Sequence, residues 1–141
     1  ARDTGARLAE VLPEIYRNWA LLRLEQGDLA AALTSIDNSL KLAHELESDT
    51  DEGIGLRVLG KIQLASQQQP QALASFEQSL DRLVNRDPYE AARTQTAWGT
   101  CLLQGPEHSR GLELLQMAES TFIQLGAQRE LENVRHWLRK V

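Results

Sequence analysis

The sequence has little that would support a disulfide-linked, membrane-spanning or sheet-rich protein. It contains one cysteine, Cys101, among its 141 residues. One cysteine excludes an internal disulfide and favours a reducing compartment, so we predict a cytoplasmic location. No apolar run approaches the roughly 20 residues of a membrane helix, and the chain does not open on a signal-peptide pattern. We therefore expect no membrane partner.

Aromatic residues are also scarce, at 5% of the chain, and β-branched residues are few. The hydrophobic content of 42% is mostly leucine and alanine, which favours helix over sheet. The net charge of -5 argues against nucleic-acid binding, because phosphate contacts need an excess of basic residues. We predict an all-α fold that does not bind nucleic acid.

A repeat of 39 or 40 residues runs along the chain. It is marked by Trp19-Ala20, Leu59-Gly60, Trp98-Gly99 and Trp137-Leu138. Further columns with the same spacing are Ala32, Ala72 and Gly111; Ile36, Phe76 and Leu115; and Ser39, Ser79 and Ala118. Small residues let antiparallel helices approach closely, while bulky ones fill the adjoining gaps. The columns therefore predict stacked helix pairs with the tryptophans in the core.

Prolines and capping patterns set the expected helix ends. All four prolines, Pro13, Pro70, Pro88 and Pro106, are interpreted as marking helix starts. Asp87 with Glu90 and Asp49 with Glu52 resemble capping boxes, and Gly27 and Gly126 suit left-handed helix ends. These signals predict helices at about 13–26, 29–47, 51–67, 70–84, 88–104, 107–125 and 127–140.

We expect one domain over residues 1–141 that contains three helix pairs and a terminal helix. Its parts are a truncated preceding repeat at 1–12, with 1–6 as the tail of its helix, repeats at 13–48, 49–86 and 87–126, and a capping helix at 127–141. The lack of an initiator methionine suggests an excised piece of a longer protein.

The pattern Trp19-Ala20, Gly27-Asp28, Ala32, Ile36 and Ser39, repeated from Leu59 to Ser79, resembles the tetratricopeptide repeat, although the period exceeds the usual 34 residues. Phrases such as GARLAEVLPEIYRNWALLRLEQGDLAAAL and FIQLGAQRELENVRHWL resemble the C-terminal repeats of large bacterial signalling regulators with ATPase or cyclase domains. The resemblance implies a right-handed superhelix that serves as a sensor or scaffold in signal transduction.

The residues that could carry chemistry are scattered. His44, His108 and His136 lie far from one another and from Cys101, so we expect neither a metal site nor a catalytic site. His136 either contacts a partner or is partly buried. Cys101 is expected to be a buried, inert thiol rather than a nucleophile, and Asp49, Asp51 and Glu52 are interpreted as helix-capping acids. No phosphate-binding glycine motif is present, so we expect no cofactor and no enzyme activity.

The resemblance places the first helix of each pair along a concave groove. Projection onto that groove gives these candidate partner-binding residues: Arg17, Asn18, Arg57, Lys61, Arg93, Thr96, Thr100, Arg135 and Arg139. Arginine binds carboxylates through paired hydrogen bonds, so the groove would suit an acidic peptide. An ordinary solvated face is the alternative. A clamp for chaperone tails is disfavoured, because Leu21, Val58 and Ala97 do not fit its pattern.

We therefore predict a non-catalytic protein-binding module. The alternative is a structural module that self-associates or packs within its parent protein and has no separate ligand, and a homo-oligomer is left open. An enzyme is the third and least supported reading.

Overall fold

The computed structural model describes residues 4–141, and all regular secondary structure in that range is helical. The helices are α1 (Thr4–Glu25), α2 (Leu29–Glu45), α3 (Asp49–Ala65), α4 (Gln69–Leu83), α5 (Pro88–Leu102), α6 (His108–Leu125) and α7 (Gln128–Arg139). The predicted all-α fold is confirmed. The bounds of α2 to α7 agree with the predicted ones to within about two residues.

The chain divides into two compact units, Ala1–Arg82 and Leu83–Val141. In the first unit α1 packs against α2, α2 against α3, and α1 against α3. Phe76 of α4 lies against Gly60 of α3. In the second unit α5 packs against α6, α6 against α7, and α5 against α7. Within each unit, consecutive helices are thus packed neighbours, as the repeat predicts.

Each unit has its own apolar core, which includes members of the predicted columns. The core of the first unit includes Ala20, Ala32, Ile36, Val58 and Ile62. The core of the second unit includes Ala92, Leu115, Ala118, Phe122, Leu131 and Val134. In the first helix of each pair, the buried column members are the small residues that follow the Trp or Leu position. In the second helix of each pair, every column member is buried. This pattern confirms the helix-pair interpretation.

Glycines allow the closest contacts within the pairs. A Cβ at Gly99 would lie 2.9 Å from the carbonyl oxygen of Gly111, and one at Gly111 would lie 2.8 Å from the carbonyl oxygen of Gly99. The backbones of α5 and α6 therefore touch. At Gly60 a Cβ would lie 2.5 Å from Cε1 of Phe76, so there the glycine makes room for an aromatic ring.

The predicted start of the first helix at residue 13 is wrong. Helix α1 begins at Thr4 and includes Pro13, so residues 4–12 belong to α1 and are not a separate helix tail. Residues 1–3 lie outside the described part. Pro13 cannot donate to the carbonyl of Ala9. Its ring is fully buried, and its carbonyl accepts a hydrogen bond of 2.6 Å from the Ser39 hydroxyl.

The predicted burial of the tryptophans is also wrong in part. Trp19 is 48% exposed, while Trp98, Trp137 and Leu59 are partly buried. Cationic side chains lie over the indole rings: Arg23 over Trp19, Arg110 over Trp98 and Lys140 over Trp137. Each indole ring thus keeps one face available to a cation, and Trp137 also packs against the core of the second unit.

Most predicted helix ends are confirmed. The Asp87 carboxylate accepts from the backbone N–H of Glu90 at 3.0 Å, and Gly27 and Gly126 have left-handed φ values of 80° and 67°. The N-cap of α3 is Ser48, whose hydroxyl accepts from the N–H of Asp51, so the predicted capping box of Asp49 and Glu52 is wrong. Asp49, Asp51 and Glu52 do lie in the first turn of α3, where acidic side chains favour the helix dipole. Glu47 and Gln67 also adopt positive φ values of 55° and 63°.

Candidate partner-binding surface

The candidate residues of the first unit are largely engaged within the protein. Nη1 of Arg17 on α1 lies 3.3 Å from Oδ1 of Asp51 on α3, and 11% of the Arg17 side chain is exposed. Arg57 is 3% exposed, Lys61 is partly buried, and Asn18 is exposed. Arg57 and Arg17 are therefore poorly placed to meet a partner, because a ligand would first have to displace packed groups.

On α5 of the second unit, the candidate arginine is more accessible. Arg93 keeps 42% of its side chain exposed while its Nη1 lies 3.3 Å from Oε1 of Glu90. Its guanidinium also lies over the ring of Tyr89, 5.7 Å from the centroid. Thr96 and Thr100 bond to carbonyls of their own helix. Arg93 is the residue of this group that presents hydrogen-bond donors to solvent.

The two candidates on α7 differ in their neighbours. Arg135 has 47% of its side chain exposed, and its Nε lies 3.2 Å from Oε2 of Glu119 on α6. Arg135 therefore faces the α6 side of α7. Arg139 lies in the last turn of α7 and is exposed. A cation there is also favoured by the helix dipole.

A polar contact joins the starts of α5 and α7. The Tyr89 hydroxyl donates to Oε1 of Glu130 at 2.5 Å. This hydrogen bond lowers the pKa of Glu130 from its ordinary value of 4.5. The same bond, followed by burial, raises the pKa of Tyr89 above its ordinary value of 10.0. The contact is therefore strongest with a neutral tyrosine and an ionised glutamate.

Several predicted cations have carboxylate neighbours that sequence reasoning overlooked. Asp51 pairs with Arg17, Glu90 with Arg93, and Glu119 with Arg135. The Arg93 pair could have been found from its spacing of three residues on one helix. The Arg17 and Arg135 pairs join different helices, so they could be found only once the packing of those helices was known. These pairs lower the positive charge that the candidate residues offer to a ligand.

The other candidates for chemistry lie apart. Within residues 4–141, no group of three histidine, cysteine or acidic residues could hold a metal ion. His44 pairs with Glu52 at 3.1 Å, and Nδ1 of His108 lies 2.9 Å from the carbonyl oxygen of Leu103. His136 is exposed rather than partly buried. Cys101 is partly buried, so the prediction of a buried thiol is wrong, and its lack of reactivity stays a prediction.

Comparison with known proteins identifies the repeat. The sequence model of the tetratricopeptide repeat matches residues 11–83, which are just over half of the 141 residues of the chain. No curated protein and no solved structure matches the chain significantly. Among residues 4–141, none of the helices combines the length and the apolar character needed to cross a membrane. The chain belongs to the tetratricopeptide repeat family.

Proposed function

We propose that this chain is a non-catalytic protein-interaction module that binds an acidic peptide segment through Arg93 and Arg139. Tetratricopeptide repeats are typically non-catalytic and bind proteins or peptides. A cytoplasmic sensor or scaffold role in a larger bacterial regulator fits this module and belongs to the same proposal. The observation that carries the proposal is the exposed guanidinium of Arg93 on a first helix.

The geometry favours the second unit for this role. The Arg93–Glu90 pair lies within one helix and is solvent-exposed, and such pairs contribute about 1 kcal/mol or less. A ligand carboxylate can therefore replace Glu90 at little cost. Arg17 and Arg57 would have to leave buried positions to do the same, which is unfavourable for a charged group. We expect these two residues to support the fold, and we expect Arg135 of the second unit to contribute long-range attraction.

The test is fluorescence anisotropy with a labelled peptide rich in glutamate, compared with the same peptide carrying glutamine in place of glutamate. The acidic peptide should bind more tightly, and binding should weaken with salt, because the Debye length falls from about 10 Å at 0.1 M to about 3 Å at 1 M. The double variant Arg93→Gln/Arg139→Gln should weaken binding about tenfold or more, which corresponds to about 1.4 kcal/mol.

Arg110→Gln is a matched control. Arg110 has a similar exposure of 45%, pairs with Glu113 three residues away, and lies over Trp98 at 5.5 Å. It differs from Arg93 in belonging to a second helix of a pair. If Arg110→Gln weakens binding as much as Arg93→Gln, the attraction is a general surface effect and the proposal is wrong. Equal binding of the glutamate and glutamine peptides would also contradict it.

A further inference from the structure

An apolar stripe runs along the outer face of α1, on the side away from the core residue Ala20. We define the α1 stripe as Leu8, Val11, Ile15, Asn18 and Leu22. Its four apolar members are 40% to 54% exposed. Isolated exposed apolar side chains are common, whereas contiguous ones mark surfaces that bind another element. Since α1 is also apolar where it packs against α2, it has the two apolar faces of a helix that lies between others.

The same repeat positions at the other end of the chain carry polar side chains. Three repeat periods later, the stripe positions from residue 11 onwards are Arg129, Asn133, His136 and Lys140, and all four are exposed. The terminal repeats of helical arrays need a polar outer face to stay in solution. Helix α7 meets this requirement and α1 does not. The outer face of α1 is therefore that of an internal helix.

The counterpart face of α3 shows what covers such a face. One repeat period after residues 15, 18 and 22 come Gly55, Val58 and Ile62. Val58 and Ile62 are 2% and 1% exposed, and a Cβ at Gly55 would lie 2.8 Å from Cδ2 of Leu40 on α2. The face of α3 is thus covered by α2, which is the second helix of the preceding pair.

The exposed face of α1 also has the shape that a covering helix requires. An open groove lies among Ile15, Asn18, Trp19 and Leu22. Their spacing of i, i+3, i+4 and i+7 is that of the four residues that surround one side chain of a facing helix in knobs-into-holes packing. On α3 the side chain in this place is Leu40, which packs against the core of the first unit.

We propose that the second helix of a further helix pair, placed before α1 in the same polypeptide, covers the α1 stripe as α2 covers α3. The proposal rests on α1 and does not depend on peptide binding by the second unit. Helix α1 includes Thr4, more than one turn before the position that corresponds to Asp49, where α3 begins. The seam on α1 is therefore longer than that on α3, and we expect its covering helix to be longer than α2.

The stripe also determines which side chains the covering helix needs. At Gly55 the side chain of Leu40 fills the place of a Cβ, whereas Ile15 fills that place itself. The counterpart of Leu40 on the covering helix should therefore be smaller than leucine. Asn18 would become buried as Val58 is, and a buried amide needs hydrogen-bond partners. The covering helix should therefore bring a polar side chain to Asn18.

Cysteine labelling tests whether the stripe is covered. In a Cys101→Ser background, Leu22→Cys is compared in the 141-residue chain and in the polypeptide that the complete gene encodes. A maleimide should label the longer polypeptide about tenfold or more slowly, because a covered side chain reacts only when the contact opens. Ile123→Cys is the matched control, since Ile123 is a 53% exposed apolar residue of α6, and it should react at the same rate in both.

Three outcomes of this experiment would overturn the proposal. The first is equal labelling of Leu22→Cys in the two polypeptides, and the second is a complete gene that encodes no helix pair before α1. The third is protection that appears only when sedimentation equilibrium shows self-association, because the cover would then be a second copy.

A duplicated repeat tests the size of the side chain that meets Ile15. Residues 9–48 placed directly before residue 9 put an added α2 ahead of α1, joined as Ser48 joins Asp49. Leu40→Ala in the added copy should raise the melting temperature by about 2–4 °C. With Ile15→Gly in the original α1, the same change should lower it, because leucine then meets glycine as it does between α2 and α3.

Leu33→Ala in the added copy is the control for this cycle, because Leu33 is 43% exposed on α2. It should have the same small effect with either residue at position 15. If Leu40→Ala also had the same effect with isoleucine and with glycine at that position, the added helix would not meet Ile15. That result would overturn the proposed contact.

Discussion

The α3–α4 and α5–α6 pairs use the same repeat columns but pack differently. In α3–α4, Gly60 makes room for the ring of Phe76, whose atoms lie 2.5–2.9 Å from where a Cβ would be. In α5–α6, Gly99 and Gly111 bring the two backbones into contact, and Leu115 lies beside them. One pair is filled by a large side chain and the other by close approach of the main chains. A glycine in the same column thus serves two purposes.

This difference determines how each pair responds to substitution. A side chain can rotate or be shortened to relieve a clash, whereas two packed helix backbones can separate only by moving whole helices. The α3–α4 pair should therefore be destabilised when its large side chain is shortened, and a clash there should be relieved by a second substitution. The α5–α6 pair should be destabilised by any added side-chain volume between the backbones, and a second side-chain substitution should relieve that clash less well.

The largest expected effect is that of Phe76→Ala. Phe76 is fully buried, and its removal opposite Gly60 leaves a void that no neighbouring backbone can fill. We expect a loss of about 3–5 kcal/mol in the free energy of unfolding, measured by urea denaturation followed by circular dichroism. Gln78→Ala, at an exposed position of the same helix, should change stability by about 0.5 kcal/mol or less. Similar midpoints for the two variants would rule out the packing role of Phe76.

Gly99→Ala and Gly60→Ala should separate the two pairs. Each alanine overpacks its seam, at a cost of about 1–3 kcal/mol. Adding Phe76→Leu should recover much of the Gly60→Ala loss, with a coupling energy of about 0.5 kcal/mol or more. Adding Leu115→Ala should not restore the stability that Gly99→Ala loses, because the atom nearest to a Cβ at residue 99 is the carbonyl oxygen of Gly111. If the second substitution restored the free energy of unfolding equally in both double variants, the two pairs would not differ in how they accommodate added volume.

A smaller effect is expected at the helix ends. Gln67 occupies the same repeat position as Gly27, forty residues earlier, and both have a positive φ. Because a left-handed conformation is unfavourable for a residue with a Cβ, Gln67→Gly should raise the free energy of unfolding by about 0.5–1 kcal/mol. Gly27→Ala should lower it by a similar amount. A destabilised Gln67→Gly protein in the same urea assay would contradict this explanation.

The smallest effect concerns the Tyr89–Glu130 contact. Because the pKa of Glu130 is lowered in the folded state, its contribution is present above pH 4.5 and is lost as the pH falls through the lower, folded pKa. Because the pKa of Tyr89 is raised, its contribution is present below pH 10 and is lost as the pH rises through the higher, folded pKa.

Glu130→Gln should therefore lower the melting temperature at neutral pH, and its difference from the unmodified protein should narrow under strongly acidic conditions. Glu132→Gln, at an exposed position of the same helix, is the control and should behave like the unmodified protein at every pH. A Glu130→Gln difference that stays constant from neutral to acidic pH would mean that the carboxylate contributes nothing by its charge.

The sequence was enough to predict that the helices exist and which repeat positions are buried, because both depend on the spacing of apolar and small residues and on the composition of each segment. The start of α1 could not be predicted, because proline usually marks a helix start, whereas Pro13 lies inside the helix with its ring buried. The position of Trp19 was also mispredicted. A repeat column shows that residues occupy equivalent places, but not that a neighbouring helix covers each of them.

The candidate site was less predictable than the fold. Projection onto the first helices correctly placed Arg93 at the surface but could not show that Arg57 is buried. Such differences arise from contacts between helices, and one sequence does not specify which cation meets which carboxylate. The role of the groove residues as a binding surface stays a prediction.

The hydrogen bond from Ser39 to Pro13 has a counterpart from Ser79 to Gly53, and both are 2.6 Å long and span 26 residues. Each bond is therefore closed inside one 40-residue repeat. Duplicating or deleting a whole repeat would preserve the bond, whereas an insertion between donor and acceptor would disturb it. The helix pair can therefore be copied as a unit, and the stability of the array should be the sum of the stabilities of the single repeats and of the interfaces between neighbouring repeats. The number of repeats can thus change without changing the packing inside each pair.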